Sequence, residues 1–349
     1  MSEQVAKIKV TIDGQTIEVA PGTTVLQAAR IIGKEVAPPA MCYYSKLDNT
    51  GGNCRTCLVE VSKGSEADPR PMPKLVASCR TNVMDGMEVK NFTSEKVIDA
   101  RKGVVEFLLL NHPLDCPICD QAGECKLQDL GYENGDDATR YDFNRRTFPK
   151  EDLGPHIQLH MNRCIMCYRC VKTAEQITEN REHGVLYRGD HSEISTCIQK
   201  NLDNEFIGNI IDVCPVGALT DKTFRFKQRV WFLNPVDAHR DCPTCSGEVQ
   251  LWFRGDEVYR VTARKDEWNE IKDTSKGEKG WICNTCRFEK KEKNDWIIDG
   301  ESHVERDSVI SFNHYENMTM PKDTFKDVMH GRDPKLLLDI HDVSEVNKK

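Results

Sequence analysis

Residues 111–128 read Asn-His-Pro-Leu-Asp-Cys-Pro-Ile-Cys-Asp-Gln-Ala-Gly-Glu-Cys-Lys-Leu-Gln, placing His112, Cys116, Cys119 and Cys125 as H-x3-C-x2-C-x5-C. Four metal-binding side chains so close together ask for a metal. An iron-sulfur cubane takes four ligands around a bulky inorganic core, and the loop supplying them stays irregular so that its amides also reach the sulfides. Pro113, Pro117 and Gly123 keep the stretch out of continuous helix. Three cysteines and one histidine also make a tetrahedral zinc set, so the stretch alone leaves both metals open.

The rest of the chain narrows the choice. Sixteen cysteines in 349 residues are too many for an ordinary reduced enzyme, and most stand in C-x2-C pairs. Disulfides are the simplest alternative, but MSEQVAKIKV runs straight into a strand pattern with no signal peptide, so metal binding in a reducing compartment is expected. The longest apolar run, near Val104 to Leu110, contains Glu106 and is far too short to span a bilayer, so any membrane association is expected through partners. A net charge of -8 without a basic stripe argues against nucleic acid.

Upstream, Ile8, Val10 and Ile12 alternate, Asp13-Gly14 signals a hairpin, and Ile17 and Val19 resume the alternation. A short helix carrying Val25, Leu26, Ala29 and Ile32 follows. Strand, strand, helix and then a cysteine loop is the order of a β-grasp ferredoxin. Cys42, Cys54, Cys57 and Cys79 suit a [2Fe-2S] rhomb, two thiolates to each iron, with Gly51 and Gly52 letting amides approach the sulfides; a zinc clip beside a glycine turn is the alternative. Lys63 to Lys74 reads as a lengthened loop, and Asp85-Gly86 as a last hairpin closing the domain near residue 92. Helical spacing from Ser94, as N-cap, to Leu110 delivers the chain to His112.

Downstream, a polar stretch from Asn134 to Asp152 reads as a linker or partner-facing loop. His156, Ile157, Leu159 and Met161 predict a strand running into Cys164-Ile-Met-Cys167-Tyr-Arg-Cys170, the bacterial ferredoxin core, with Cys214-Pro215 supplying the remote fourth ligand of a [4Fe-4S] set. Gly217 and Ala218 are expected to leave room beside this cubane, and Cys197 to be a free thiol. Cys242, Cys245, Cys283 and Cys286 form two further C-x2-C knuckles, binding either a [4Fe-4S] cluster, the reading preferred here, or zinc. Between them, Gln250 to Val261 reads as a hairpin about Arg254-Gly255-Asp256. Trp296 to Ile298 are expected to finish this module, and Leu336 to Ile340 to make a short docking element.

Over residues 5 to about 290 these ligand sets, in this order, resemble the large iron-sulfur subunit of NADH:quinone oxidoreductase, respiratory complex I, known as the G subunit or 75 kDa type. The family's usual last motif is C-x2-C-x3-C with a distant Cys. Here Val249 takes the third position and Cys286 stands three residues past the fourth. Only 63 residues follow Cys286, so the resemblance is to a short form without the large molybdopterin-like C-terminal domain.

The expected fold class is α+β. A β-grasp [2Fe-2S] domain would occupy residues 1–93. The one-histidine set and the bacterial-ferredoxin-like set would share 94–230. A small β-rich knuckle domain of molybdopterin-oxidoreductase type would span 231–300, and a charged tail 301–349. No nicotinamide, flavin or phosphate-loop motif and no hydrolytic triad is visible, so no catalytic residue is expected.

The resemblance implies one [2Fe-2S] cluster, two [4Fe-4S] clusters and a fourth metal. It also implies an FMN-bearing, NADH-oxidising partner on one side and quinone-side iron-sulfur subunits on the other, with peripheral attachment to the cytoplasmic face of a bacterial inner membrane. A relay subunit of a soluble NAD-linked hydrogenase or formate dehydrogenase shares the first three sets. A zinc-rich interaction scaffold without redox function is the rival of another class.

Overall fold

The structure, a computed structural model, describes residues 7–299 apart from 137, 143, 179, 180, 182 and 197–200. The expectations for Cys197 and for residues 301–349 lie outside the described residues.

The chain opens as its alternation predicts. Strands β1 (Ile8–Ile12) and β2 (Gln15–Val19) pair antiparallel across Asp13 and Gly14, whose φ values of 46° and 83° make the turn that matches strand twist. Helix α1 (Val25–Ile32) follows, closed by a reciprocal Thr24–Gln27 capping box and burying Val25, Leu26, Ala28 and Ala29. The cap contributes about 1 kcal/mol, and burial of Val25 and Leu26 about 1.5–3 kcal/mol each. Strands β3 (Leu58–Lys63), β4 (Val76–Ala77) and β5 (Met87–Lys90) complete a mixed sheet in the order β2-β1-β5-β3-β4.

Asp85-Gly86 is a turn, Gly86 having φ 70°, but not a hairpin. Strand β5 enters between β1 and β3 and does not fold back on β4. A dipeptide reports the local bend, whereas the partner is chosen by which strands need their inner edges filled. The Asp13 carboxylate then gathers the end of β5, accepting from the Asn91 and Phe92 amides at 2.7 and 2.9 Å.

Helix α2 (Glu95–Leu109) starts at Ser94 as expected, but the Ser94 hydroxyl gives no cap; it donates to Glu60 at 2.7 Å. The His112 loop holds one short 3-10 turn, Cys116–Ile118, before α3 (Lys126–Asn134). The polar stretch after α3 is more than a linker: Phe148 packs on the core, and the stretch ends in strand β6 (Glu151–Asp152), paired with β7 (Ile157–Leu159). Strand β7 stops at Leu159, because Met161–Arg163 close into a 3-10 turn that swings Cys164 towards the core.

Helix α4 (Arg169–Ile177), the hairpin β8 (His183–Leu186) and β9 (Glu193–Thr196), the short α5 (Asn209–Val213) and β10 (Leu219–Asp221) complete the middle module. Its core takes in Met41, Cys42 and Cys54 from the first cysteine loop, so the two modules share an interior.

The last module is a sheet of β11 (Asn234–His239), β12 (Val249–Arg254), β13 (Glu257–Thr262) and β14 (Ile297–Ile298), in the order β13-β12-β11-β14. The hairpin turns at Gly255 as expected, and Trp296 to Ile298 close the module. Buried and half-buried ion pairs fasten it to the rest: Arg287–Asp212 at 2.5 Å, Arg260–Glu124 at 2.7 Å and Arg30–Glu270 at 2.9 Å.

Candidate metal centres

The first cysteine loop wraps inward. Cys42, Cys54, Cys57 and Cys79 are all buried, with the Cys57 and Cys79 sulfurs 3.3 Å apart. Backbone amides point at sulfur: Gly52 N–H donates to Cys79 Sγ at 3.2 Å and Cys54 N–H to Cys42 Sγ at 3.4 Å. Gly51, at φ 100°, sits where a Cβ would lie 3.1 Å from Cys79 Sγ. Four converging thiols, amides aimed at them and a wall without side chain fit a binuclear cluster.

His112, Cys116, Cys119 and Cys125 line one small cavity, together with Asp115 and Arg163. Burial holds the His112 pKa down at about 4. Its Nδ1 is buried with no hydrogen-bond partner among the described residues, so the ring has a nitrogen to offer a metal. Arg163 donates to Asp115 at 2.8 and 3.1 Å, and Arg229 donates to the Cys119 carbonyl at 2.7 Å, so cationic side chains hold the loop from two sides. Gly123 is required twice over. Its φ is 87°, and a Cβ there would meet the Trp231 ring at 2.9 Å.

Cys164, Cys167, Cys170 and Cys214 line a second enclosed cavity, otherwise walled by apolar groups including Leu159, Ile194, Val216 and Ala218. Met166 and Tyr168 adopt left-handed φ values of 52° and 62°, which turn the C-x2-C-x2-C run around this space. Burial raises all four thiol pKa values, that of Cys167 to about 12. These thiols stay protonated until a metal supplies the compensating positive charge.

Gly217 departs from expectation. It lines the His112 cavity, where a Cβ would lie only 2.2 Å from Cys119 Sγ, while Val216 and Ala218 line the Cys164 cavity. In the bend and turn after Cys214, Val216 and Ala218 face one centre and Gly217 the other, a partition set by the folded turn that could not be read from the Pro-Val-Gly-Ala string alone.

Arg169 has no signal of its own beyond its place between two cysteines. Its buried guanidinium donates to the Ala40 and Tyr43 carbonyls at 3.0 and 2.5 Å and lies 3.4 Å from the Val213 carbonyl, tying the first cysteine loop to the residue before Cys214. The two knuckles also meet: the Cys242, Cys245, Cys283 and Cys286 sulfurs all lie within 4.8 Å of one another. The structure therefore gathers each of the four expected donor sets.

Three family models match the chain in the same order. Residues 5–94 match a 2Fe-2S iron-sulfur cluster binding domain, residues 101–140 the NADH-ubiquinone oxidoreductase-G iron-sulfur binding region, and residues 154–220 the ferredoxin-like domain of NADH-quinone oxidoreductase subunit 3. The NADH-quinone oxidoreductase G subunit of Rickettsia bellii is 45% identical over 281 residues, 80% of this chain and 38% of that protein. The mitochondrial NADH dehydrogenase [ubiquinone] iron-sulfur protein 1 of Solanum tuberosum is 41% identical over 300 residues, 84% of this chain and 38% of that one. The chain thus spans well under half the length of these relatives.

Among solved structures, a chain of an NAD+-reducing [NiFe]-hydrogenase in the H2-reduced state superposes with a TM-score of 0.54 at 27% identity, over 64% of this chain and 92% of that one. Among the described residues no helix is long and apolar enough to cross a membrane.

Proposed function

We propose that this chain, a short relative of the 75 kDa-type iron-sulfur proteins of NADH:quinone oxidoreductase, is the electron-relay subunit of such a complex. In this reading Cys42, Cys54, Cys57 and Cys79 hold a [2Fe-2S] cluster. His112, Cys116, Cys119 and Cys125 hold one [4Fe-4S] cluster, and Cys164, Cys167, Cys170 and Cys214 another. When bound, such clusters supply reversible one-electron carriers. The protein's part is to fix their spacing and set their potentials through amide hydrogen bonds, burial and fixed charge.

The observation that carries the reading is the contiguity of the donor sets. Arg169 joins the first loop to the Cys214 segment, and that segment walls the His112 cavity through Gly217. The Cys164 set is thus linked to both of the others, while Leu114, Ile118 and Trp231, on and beside the His112 loop, are 83%, 56% and 58% exposed. This apolar rim suits a partner receiving electrons from that end. On this reading an FMN-bearing, NADH-oxidising subunit donates at the other end, quinone-side iron-sulfur subunits accept, and the chain sits peripherally on the cytoplasmic face of a bacterial inner membrane. Its status as an enzyme is that of a subunit in the oxidoreductase complex.

Protein purified without oxygen should be brown, contain acid-labile sulfide and give EPR signals on reduction; a colourless chain free of sulfide would overturn the relay. The superposition on the hydrogenase chain favours one second reading, a relay in a soluble NAD-linked hydrogenase. Quinone-dependent NADH oxidation by membranes carrying the tagged chain separates the two, since the hydrogenase reading expects co-purification with a hydrogen-activating subunit.

A further inference from the structure

We infer that Cys242, Cys245, Cys283 and Cys286 hold a single tetrahedral zinc ion rather than an iron-sulfur cluster, so that a redox-silent metal braces the last module. The sulfurs of Cys242 and Cys283 are 3.8 Å apart, those of Cys245 and Cys283 3.6 Å, and those of Cys245 and Cys286 3.8 Å. Four thiolates at about 2.3 Å from one central ion have tetrahedral edges of about 3.8 Å. A cubane carries its thiolates outward on four irons, and their sulfurs then stand roughly 6 Å apart. The observed spacing admits one ion and excludes an iron-sulfide cube.

The chain carries its own contrast. Among the described residues no other group of three or more metal-binding side chains is gathered within 4.8 Å, although the His112 and Cys164 sets each surround a common cavity. Two donor sets leave room for a cubane and this one does not.

The surroundings agree. Gly247 N–H donates to Cys245 Sγ and Cys286 N–H to Cys283 Sγ, both at 3.4 Å, and Arg240 reaches Cys286 Sγ at 3.9 Å. Amide donors and one cation answer the negative charge that four thiolates leave around a divalent ion. Val249 is fully buried in the core with Ala238, Leu251 and Trp281, so packing takes the place where the related proteins' pattern puts a third thiolate. The ion would join the β11–β12 connection to the segment 281–288, which carries Arg287 to Asp212. Loss of the ion would loosen the seam between the last two modules.

The test is metal analysis of the full chain purified without oxygen. About one zinc with about ten iron and ten labile sulfide is expected; about fourteen iron without zinc would overturn the assignment. Chain grown with cobalt should show the ligand-field absorption of a tetrahedral thiolate site at roughly 600–750 nm, and absence of that band would also count against it. In Cys283→Ser/Cys286→Ser protein, zinc should vanish while iron stays at about ten; a loss of about four iron instead would identify a cluster. The inference stands apart from the relay: zinc in a chain lacking iron and sulfide would sink the relay alone.

Discussion

At the scale of single residues, Gly217 shows how little freedom the centres allow. A Cβ there would fall 2.2 Å from Cys119 Sγ, so Gly217→Ala should displace that donor. Iron content should fall by about four per chain, with the EPR signal of the Cys164 set retained; loss of both signals together would show general unfolding instead. His112 makes an electrical argument. A neutral imidazole leaves its centre one charge less negative than a thiolate would, which favours the reduced form. His112→Cys should therefore lower that midpoint potential by on the order of 100 mV, and an unchanged EPR-monitored redox titration would contradict ligation by His112.

Among the elements, the short α5 carries a buried ion pair. Asp212 and Arg287 are both almost fully buried, and Asp212 also accepts from the Ala263 amide at 3.0 Å. Asp212→Asn leaves the Arg287 charge uncompensated in the interior and should cost about 3 kcal/mol. Urea unfolding of the metal-loaded chain reads the loss, and adding Arg287→Met should restore part of it. On β8, His183 is buried, its ring nitrogens have no partner among the described residues, and burial lowers its pKa from 6.5 to about 4. Between those values the unfolded chain takes up a proton that the folded one refuses, so stability falls as pH falls from about 6.5 to about 4, by up to about 3 kcal/mol. His183→Leu should flatten that slope between pH 7 and pH 5.

The elements also show what a sequence discloses. The β1–β2 hairpin, α1, α2 and the β12–β13 hairpin were legible because each is specified by its own periodicity and turn residues. The insertion of β5 between β1 and β3, and the end of β7 before Met161, were not. Both depend on edges and cavities built by residues distant in sequence. Which side chains gather into each set was legible from spacing alone, yet the arginines that steady the loops were not, since Arg163, Arg169 and Arg229 look like ordinary surface cations until burial is known.

For the molecule as a whole, the first two modules share a core and Arg169 spans their seam, touching carbonyls on both sides. A fixed buried cation beside two donor sets stabilises the added electron at each. Arg169→Met should lower both midpoint potentials, by on the order of 50 mV, and lower the melting temperature in the same protein. A shift confined to one centre would mean that the guanidinium serves packing at the other.

The short run from Cys214 to Ala218 has a bearing on biogenesis. One stretch of backbone walls both the Cys164 and the His112 cavities, so on the relay reading whichever cofactor is installed first stiffens the receptacle of the second. Maturation should accordingly be quicker for the second cofactor than for the first, while a chain with one spoiled receptacle, such as Gly217→Ala, still fills the other.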